Sequence, residues 1–302
     1  MNKDTFAGFH PAVNLFYFAV VIGFAMFFMH PISLAISLVC AFTYSVHLNG
    51  KKTVKMWLIF LLPLIIIATG INPLFNHQGG TIVGYLPNGN PLTLESIMFG
   101  LAAAVMLATV ITWFSCFNTV MSSDKIIYLF GRIIPALSLI LAMALRLVPR
   151  FRDQIKVISN AQKCIGRDVS DGNIFRKARH GIKILSIMIT WALENAIETA
   201  DSMKARGYGL PRRTAFSIFR FDRRDVWAAA YIFVCCAIVI AGAVTEVSRF
   251  RYFPTIRGEW AGFWTAAVFF VHFALGIFPI IVSLKEDITW KNITSSKLRD
   301  GV

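Results

Sequence analysis

Charged residues are scarce in this chain, and acidic residues are the scarcest among them. Of its 302 residues, 15% are charged and 56% are hydrophobic, whereas a soluble domain usually has about 25% charged and about 45–50% apolar residues. This shortage excludes a single soluble globular domain and predicts an integral membrane protein. The 16 acidic residues stand against 30 Lys and Arg, a net charge of +14, which favours contact with an anionic surface or an acidic partner.

Sequence signatures of catalysis and metal binding are missing as well. The five cysteines form no CxxC pair and no Cys/His cluster, so neither a zinc site nor a disulfide framework is expected. Residues 50–53 match only the end of a nucleotide-binding loop, because Ser45 stands where the first glycine of that loop would be. We therefore expect a protein that is not an enzyme and that holds no metal or cofactor.

Six apolar stretches are long enough to cross about 30 Å of hydrocarbon. They lie at 12–29, 32–47, 54–71, 96–117, 226–245 and 260–284. A seventh stretch, 126–146, contains Arg132 and Pro135. If it crossed the membrane, the basic residues after it would lie outside the cell, against the positive-inside rule. We predict that 126–146 is a helix bent at Pro135 that lies in the interface or is partly inserted into the membrane, and that both chain termini are cytoplasmic.

The predicted fold class is an all-α integral membrane protein with about six transmembrane helices and additional cytoplasmic or interfacial helices. Residues 1–118 would hold four spans, 119–225 a cytoplasmic coupling domain, and 226–302 the last spans and a cytoplasmic tail. The spans hold almost no ionisable residues, which disfavours a self-sufficient channel or permease. The basic middle region lacks interleaved exposed aromatics, so no nucleic-acid partner is expected.

Two amphipathic helices are predicted in the middle region. The first would begin after Pro149, cover 150–164 and end before Gly166; the second would cover about 181–206 and end at Gly207. An apolar stripe on the second helix could pack within this chain or against another protein, and helical spacing leaves both possibilities open. The stripe consists of Ile182, Leu185, Met188, Ile189, Ala192 and Met203.

The ends of these two helices are candidate binding sites. Arg206 lies in the last turn of the second helix between the small residues Ala205 and Gly207. It could simply stabilise the helix dipole, or it could enter an acidic groove on another protein, where an arginine pairs strongly with a carboxylate. A similar pattern closes the first helix at Cys164, Ile165, Gly166 and Arg167.

Four stretches resemble the transmembrane (T) component of energy-coupling factor transporters, a family named after cobalt uptake systems. They are NPLFNHQGG at 72–80, ALRLVPRFRDQI at 144–155, LSIMITWALENAIETADSMKARGYGLP at 185–211 and RRTAFSIFRFDRRD at 212–225. The resemblance implies a scaffold in a prokaryotic plasma membrane for vitamin or metal-ion uptake. Its partners would be the lipid bilayer, two ABC-type ATPase subunits and a small substrate-binding membrane subunit.

The family has two short Ala-Arg-Gly-like motifs at which the ATPases bind. Ala205, Arg206 and Gly207 match the second motif, whereas the first is altered because Ile165 stands where the family usually has Arg, with Arg167 as a displaced candidate. The substrate-binding subunit would pack on the apolar stripe. The alternative is a basic membrane-anchored protein that binds anionic lipid or an assembly partner without ATP-driven transport.

Overall fold

The computed structural model describes residues 4–85, 87, 89–166, 173–210, 219–245, 250–258 and 262–299. Helices dominate this part of the chain, which confirms the predicted all-α class. The chain divides into two compact units. We call Met1–Ile126 together with Phe219–Val302 the membrane unit, and Ile127–Ile218 the basic unit.

The first two long helices of the membrane unit begin in the same way. Helices α1 (Pro11–Phe27) and α2 (Pro31–Asn49) both have proline at the first helical position, where a missing N–H costs nothing. The preceding histidine caps each helix: Nδ1 of His10 accepts the amide of Ala12, and Nδ1 of His30 accepts that of Ile32, both at 3.2 Å. A short 3-10 turn, Phe6–Gly8, precedes α1.

The third apolar stretch is one continuous helical rod with a wide turn inside it. Helix α3 (Lys51–Met56) passes through a π-helical turn (Trp57–Leu61) into α4 (Leu62–Phe75). Pro63 explains the wide turn, because its ring would clash with the carbonyl one regular turn earlier. The amide of Leu62 accordingly bonds to the Trp57 carbonyl, five residues back.

Two hairpins connect the remaining helices of the membrane unit. Strands β1 (Ile82–Tyr85) and β2 (Pro91–Thr93) pair antiparallel before α5 (Leu94–Val120). Strands β3 (Phe250–Arg251) and β4 (Arg257–Gly258) pair between α9 (Arg223–Val244) and α10 (Phe263–Arg299). The sequence did not predict either hairpin.

Aromatic side chains form the core of the membrane unit. The Phe6 ring lies 5.1 Å from that of Tyr17, and the Tyr17 ring lies 6.1 Å from that of Trp113. All three side chains are fully buried. Helices α2 and α10 approach closely because Gly276 faces Cys40, where an added Cβ would come within 2.9 Å of the Cys40 sulfur.

Among the described residues, five helical stretches are long and apolar enough to cross a membrane, by length and composition. They are Pro31–Asn49, Lys51–Phe75, Leu94–Val120, Arg223–Val244 and Phe263–Glu286. Pro11–Phe27 is also apolar but shorter, at 17 residues. These six segments correspond to the six apolar stretches of the sequence, and they confirm a multi-pass membrane architecture.

The basic unit consists of long helices whose boundaries differ from the predicted ones. Helix α6 (Ser123–Ile133) enters it, and α7 (Pro135–Cys164) and α8 (Ile174–Ala205) form most of it. The prediction of one helix bent at Pro135 was wrong. The helix is interrupted at Ile134, which has non-helical φ −133° and ψ 85°, and Pro135 is the first residue of α7. A helix start after Pro149 was also wrong, because α7 continues through that proline.

Helix α8 begins at Ile174, seven residues before its predicted start at 181. Its N-cap is Asn173, whose side-chain oxygen accepts the amide of Ile174 at 2.8 Å. The first two turns carry Arg176, Lys177 and Arg179, and these basic residues obscure the apolar spacing from Ile174 to Ile182. The cap residue was the signal that could have located this start.

Candidate functional site

A small apolar cluster holds α7 and α8 together within the basic unit. Ile158 of α7 packs with Ile184 and Met188 of α8, and all three are less than 10% exposed. The rings of Phe151 and Trp191 meet edge to face at 5.7 Å. Met188 therefore lies inside this unit, and this placement agrees with the alternative that the apolar stripe packs within the chain.

Most of the remaining stripe on α8 is exposed. Ile182, Leu185 and Ile189 are 52% to 67% exposed. Leu193 and Ile197 continue the same row at four-residue steps and are 61% and 65% exposed. The sequence analysis missed these two residues, although the i+4 spacing from Ile189 would have found them. A row of five large apolar side chains on one helix face favours a protein or lipid neighbour.

An open groove of about 770 Å³ lies between α7 and α8. One wall carries Arg146 and Arg150 of α7, and the other carries Asn195 and Thr199 of α8. The Arg150 guanidinium lies 5.4 Å from the centre of the Trp191 ring, a cation–π arrangement that holds it at the groove. The apolar lining includes Met143, Leu147, Ala192, Ala196 and Met203, so two residues of the predicted stripe, Ala192 and Met203, face this groove.

A second groove of about 510 Å³ shares several of these residues and reaches Arg206. Glu198 lines it together with Arg146, Arg150 and Arg206. The lining thus carries three guanidinium groups and one carboxylate, which favours an anionic or acidic group as its occupant. Sequence reasoning had not singled out Arg146 and Arg150, because they lie on α7 far from Arg206 in the sequence.

Arg206 occupies a well-defined helix end. Ala205 is the last residue of α8, and Arg206 follows it with φ −82° and ψ 8°. The amide of Arg206 bonds to the Ser202 carbonyl at 3.1 Å, and that of Tyr208 bonds to the Met203 carbonyl at 3.0 Å. Gly207 has φ +79°, a left-handed conformation that favours glycine. The exposed guanidinium of Arg206 pairs with no carboxylate in the part of the chain that the structure describes.

The end of α7 has the same backbone form. Cys164 is its last residue, Ile165 follows with φ −98° and ψ 21°, and Gly166 has φ +73°. The Ile165 side chain is 61% exposed. Ile165 therefore takes the position that Arg206 has at the end of α8, while Arg167 lies outside the described residues. We call Cys164 to Gly166 the first tip and Ala205 to Gly207 the second tip.

Comparison with known proteins identifies the family. A family model described as cobalt transport protein (CbiQ) matches residues 9–216, which is more than half of the chain. This chain belongs to the cobalt transport protein family. The match includes both tips and the first four predicted spans, and it ends before α9.

Several curated relatives have the printed name "Energy-coupling factor transporter transmembrane protein EcfT". The protein of Lacticaseibacillus paracasei is 42% identical over 95 residues, covering 31% of this chain and 36% of the relative. That of Leuconostoc gelidum is 27% identical over 207 residues, covering 65% and 75%, and "EcfT 1" of Listeria monocytogenes is 29% identical over 209 residues, covering 64% and 76%. The chain thus spans about a third of the first relative's length. The resemblance inferred from the sequence motifs is confirmed.

Proposed function

We propose that this member of the cobalt transport protein family is the transmembrane scaffold of an energy-coupling factor transporter. It transmits the ATP-driven movement of two ABC-type ATPases to a small substrate-binding membrane subunit, which releases a vitamin or metal ion into the cell. The chain itself performs no catalysis. The observation that carries this proposal is the second tip, where the exposed Arg206 at the end of α8 pairs with no carboxylate among the described residues. The printed name of the relatives supports it.

The second tip docks one ATPase. Ala205 and Gly207 are small, so they leave the Arg206 guanidinium sterically accessible to an acidic groove. A bidentate pair between arginine and carboxylate is among the stronger hydrogen-bonded contacts, because both partners are charged. The left-handed Gly207 ends the helix directly after Arg206, so a partner can approach the tip along the helix axis.

The first tip docks the other ATPase. Its backbone repeats the form of the second tip, but Ile165 offers an apolar side chain where Arg206 offers a charge. Cys164, Ile165 and Gly166 make the contact, and Arg167 supplies the charge as a displaced equivalent. The two tips together give a two-point attachment to an ATPase pair.

The exposed row on α8 packs against the substrate-binding subunit. Ile182, Leu185 and Ile189 belong to this surface, with Leu193 and Ile197 as an extension. Ala192 and Met203 contribute from the groove side, where a flexible methionine can adapt to more than one neighbour. Met188 does not belong to this surface, because it is buried against Ile158.

The basic unit and both termini lie in the cytoplasm in this proposal. The support is the charge distribution, because the region between Lys125 and Arg224 carries most of the excess Lys and Arg and such regions stay inside. The residues 1–118, 119–225 and 226–302 then serve as anchor, coupling domain and second anchor.

Co-purification from mild detergent tests the proposal. The native chain should bring down two ATPase subunits and a small membrane protein, and Arg206→Glu should lose the ATPases. Arg179→Glu is the matched control, because it reverses an exposed arginine on the same helix. Equal behaviour of the two variants would overturn the docking role of Arg206.

A lipid-binding function without transport is the second candidate, favoured by the arginines that line the α7–α8 grooves. Anionic lipid would respond to the total charge, so each basic residue removed should weaken vesicle binding by about 1 kcal/mol. Arg206→Glu and Arg179→Glu would then have equal effects. The transporter proposal expects them to differ.

A further inference from the structure

The first residues that the structure describes form a buried anchor in the membrane unit. We call residues 4–10 the N-terminal brace. The Phe6 side chain is fully buried among the rings of Tyr17, Phe18, Tyr44 and Phe278. Both carboxylate oxygens of Asp4 accept hydrogen bonds, one from the Tyr44 hydroxyl at 2.7 Å and one from the Ser283 hydroxyl. The brace is thereby fixed to α2 and α10.

The chain passes between the units at two points, after Ile126 and before Phe219. The brace contacts the segment next to the first point through Lys125. The ammonium of Lys125 donates to the carbonyl of Ala7 at 2.6 Å and to that of Val120 at 2.8 Å. This side chain is only 7% exposed. Burial lowers the pKa of Lys125, and the nearby Asp4 carboxylate partly opposes that effect.

The brace contacts the segment next to the second point through the start of α9. The amide of His10 donates to one carboxylate oxygen of Asp225 at 3.0 Å, and the amide of Asp222 donates to the other at 3.0 Å. Asp225 is 2% exposed. The same carboxylate therefore completes the capping box of α9 and joins that helix to the brace.

Arg224 adds a further link to the same end of α9. Its guanidinium donates to the Gly8 carbonyl at 3.3 Å and lies 4.5 Å from the centre of the Phe9 ring. It also pairs with Glu286 of α10 at 3.5 Å, and the other oxygen of Glu286 accepts the Thr5 hydroxyl at 2.8 Å. Residues 4–8 and 222–225 all lie outside the segment that the family model matches.

We propose that the N-terminal brace joins the two chain connections into one fixed base, and that Lys125 and Asp225 are positioning residues for energy coupling. The inference rests on the proposed function, because fixed connections affect transport only if the ATPases move the basic unit. If the two connections were flexible, a movement that the ATPases impose on the basic unit would deform the connections and would not reach the substrate-binding subunit. Connections that the brace holds in place transmit this movement to the membrane unit.

Hydrogen exchange on the full chain in its complex tests whether the brace couples the two connections to each other. Lys125→Met removes the contact with Ala7 at the first connection and keeps an unbranched side chain that is one atom shorter. We expect amides of 221–226, at the other connection, and that of His10 to exchange about tenfold faster, since opening becomes easier by one charged hydrogen bond. Lys51→Met, at an exposed lysine of the same unit, should leave these amides unchanged.

Asp225→Asn gives the reciprocal measurement and covers the case in which Lys125→Met fails to fold. It should speed exchange in 122–127 as well as at His10. If either variant changes exchange only around its own position, the two connections are independent and the brace proposal is overturned.

The functional readout is the amount of substrate taken up per ATP hydrolysed. In Lys125→Met we expect this ratio to fall severalfold while the ATPases still co-purify and still hydrolyse ATP. An unchanged ratio in a complex that transports normally would reject the positioning role and leave the proposed function intact. Failure of the native chain to bind any ATPase would reject the proposed function instead.

Discussion

Ile165 and Arg206 occupy equivalent positions at the ends of two different helices. Each follows the last helical residue with closely similar backbone angles, and each precedes a glycine in the left-handed conformation. In the proposed transporter these ends contact the two ATPases. At this one position the first tip offers an apolar side chain and the second a guanidinium, so the charge at the first tip has to come from the displaced Arg167.

Reversing the charge at the second tip should abolish ATPase docking. In Arg206→Glu a charged contact is lost and the partner carboxylate faces a like charge, which together cost roughly 2–5 kcal/mol of binding. Coupled uptake in cells and ATPase co-purification are the measurements. Normal uptake by this variant, with Arg179→Glu also normal, contradicts the docking role.

Arg167 carries the charge of the first tip in this proposal. Arg167→Ala should therefore lower ATPase affinity by about 1.5–3 kcal/mol, the usual range for a charged hydrogen bond. Affinity is measured by titrating purified ATPase onto the chain in detergent. Arg179→Ala is the control, and if the two alanine variants bind equally well, the first tip relies on Ile165 alone.

An acidic substitution in the exposed row of α8 should separate the two partners. Leu193→Asp is expected to lose the substrate-binding subunit because a carboxylate would have to be buried in an apolar contact. The ATPases should remain bound, since the tips are unchanged. Lys183→Asp is the control, at an exposed residue of α8 that is not three, four or seven residues from any member of the row and so lies on another face. Loss of the subunit in both variants contradicts this surface assignment.

Two residues of the predicted stripe should differ in their effect on stability. Met188→Ala removes a buried side chain and should lower the free energy of unfolding by about 2 kcal/mol or more. Ile189→Ala truncates a side chain that is half exposed and should cost less than about 1 kcal/mol. Thermal unfolding of the purified chain in detergent measures both. A larger loss for Ile189→Ala would contradict the packing of α7 on α8.

Gly207 should tolerate no side chain. Gly207→Ala places a Cβ at φ +79° and 3.0 Å from the Leu210 side chain, which costs about 1–2 kcal/mol. The last turn of α8 then unwinds and Arg206 is displaced, so ATPase affinity should fall by roughly tenfold. Gly181→Ala is the control, because a Cβ there meets open space inside α8 and should slightly stabilise the helix. Equal affinities would show that the second tip needs no fixed geometry.

Local signals in the sequence predicted some features and misled on others. The end of α8 was predicted because glycine directly after an amphipathic pattern is a signal within one helical turn. The sequence predicts a helix start after Pro149, yet α7 runs through this proline. A proline within a long pattern indicates a missing hydrogen bond, and whether the helix stops there depends on the packing of both sides. That packing, here against α8 through Phe151 and Ile158, is not encoded in the adjacent residues.

The placement of single residues on the site was less predictable than the presence of an amphipathic face. Met188 and Leu193 both belong to the apolar part of α8, but α7 covers the first and leaves the second exposed. Helical periodicity shows how wide an apolar face is, but it does not show which part of that face a neighbouring helix buries. Lys125 was counted with the basic residues that mark the cytoplasmic side, and its burial against carbonyls depends on a contact 118 residues away in the chain.

The wide turn at Trp57–Leu61 acts as a built-in insertion of one residue. An α-helix advances about 100° per residue, so this extra residue rotates the side chains of Leu62–Phe75 by that angle relative to those of Lys51–Met56. Deleting one residue from the turn while replacing Pro63 by alanine would restore a regular helix. The two halves of the rod would then present a new combination of faces, so which side chains of the two halves share a face depends on this one inserted residue.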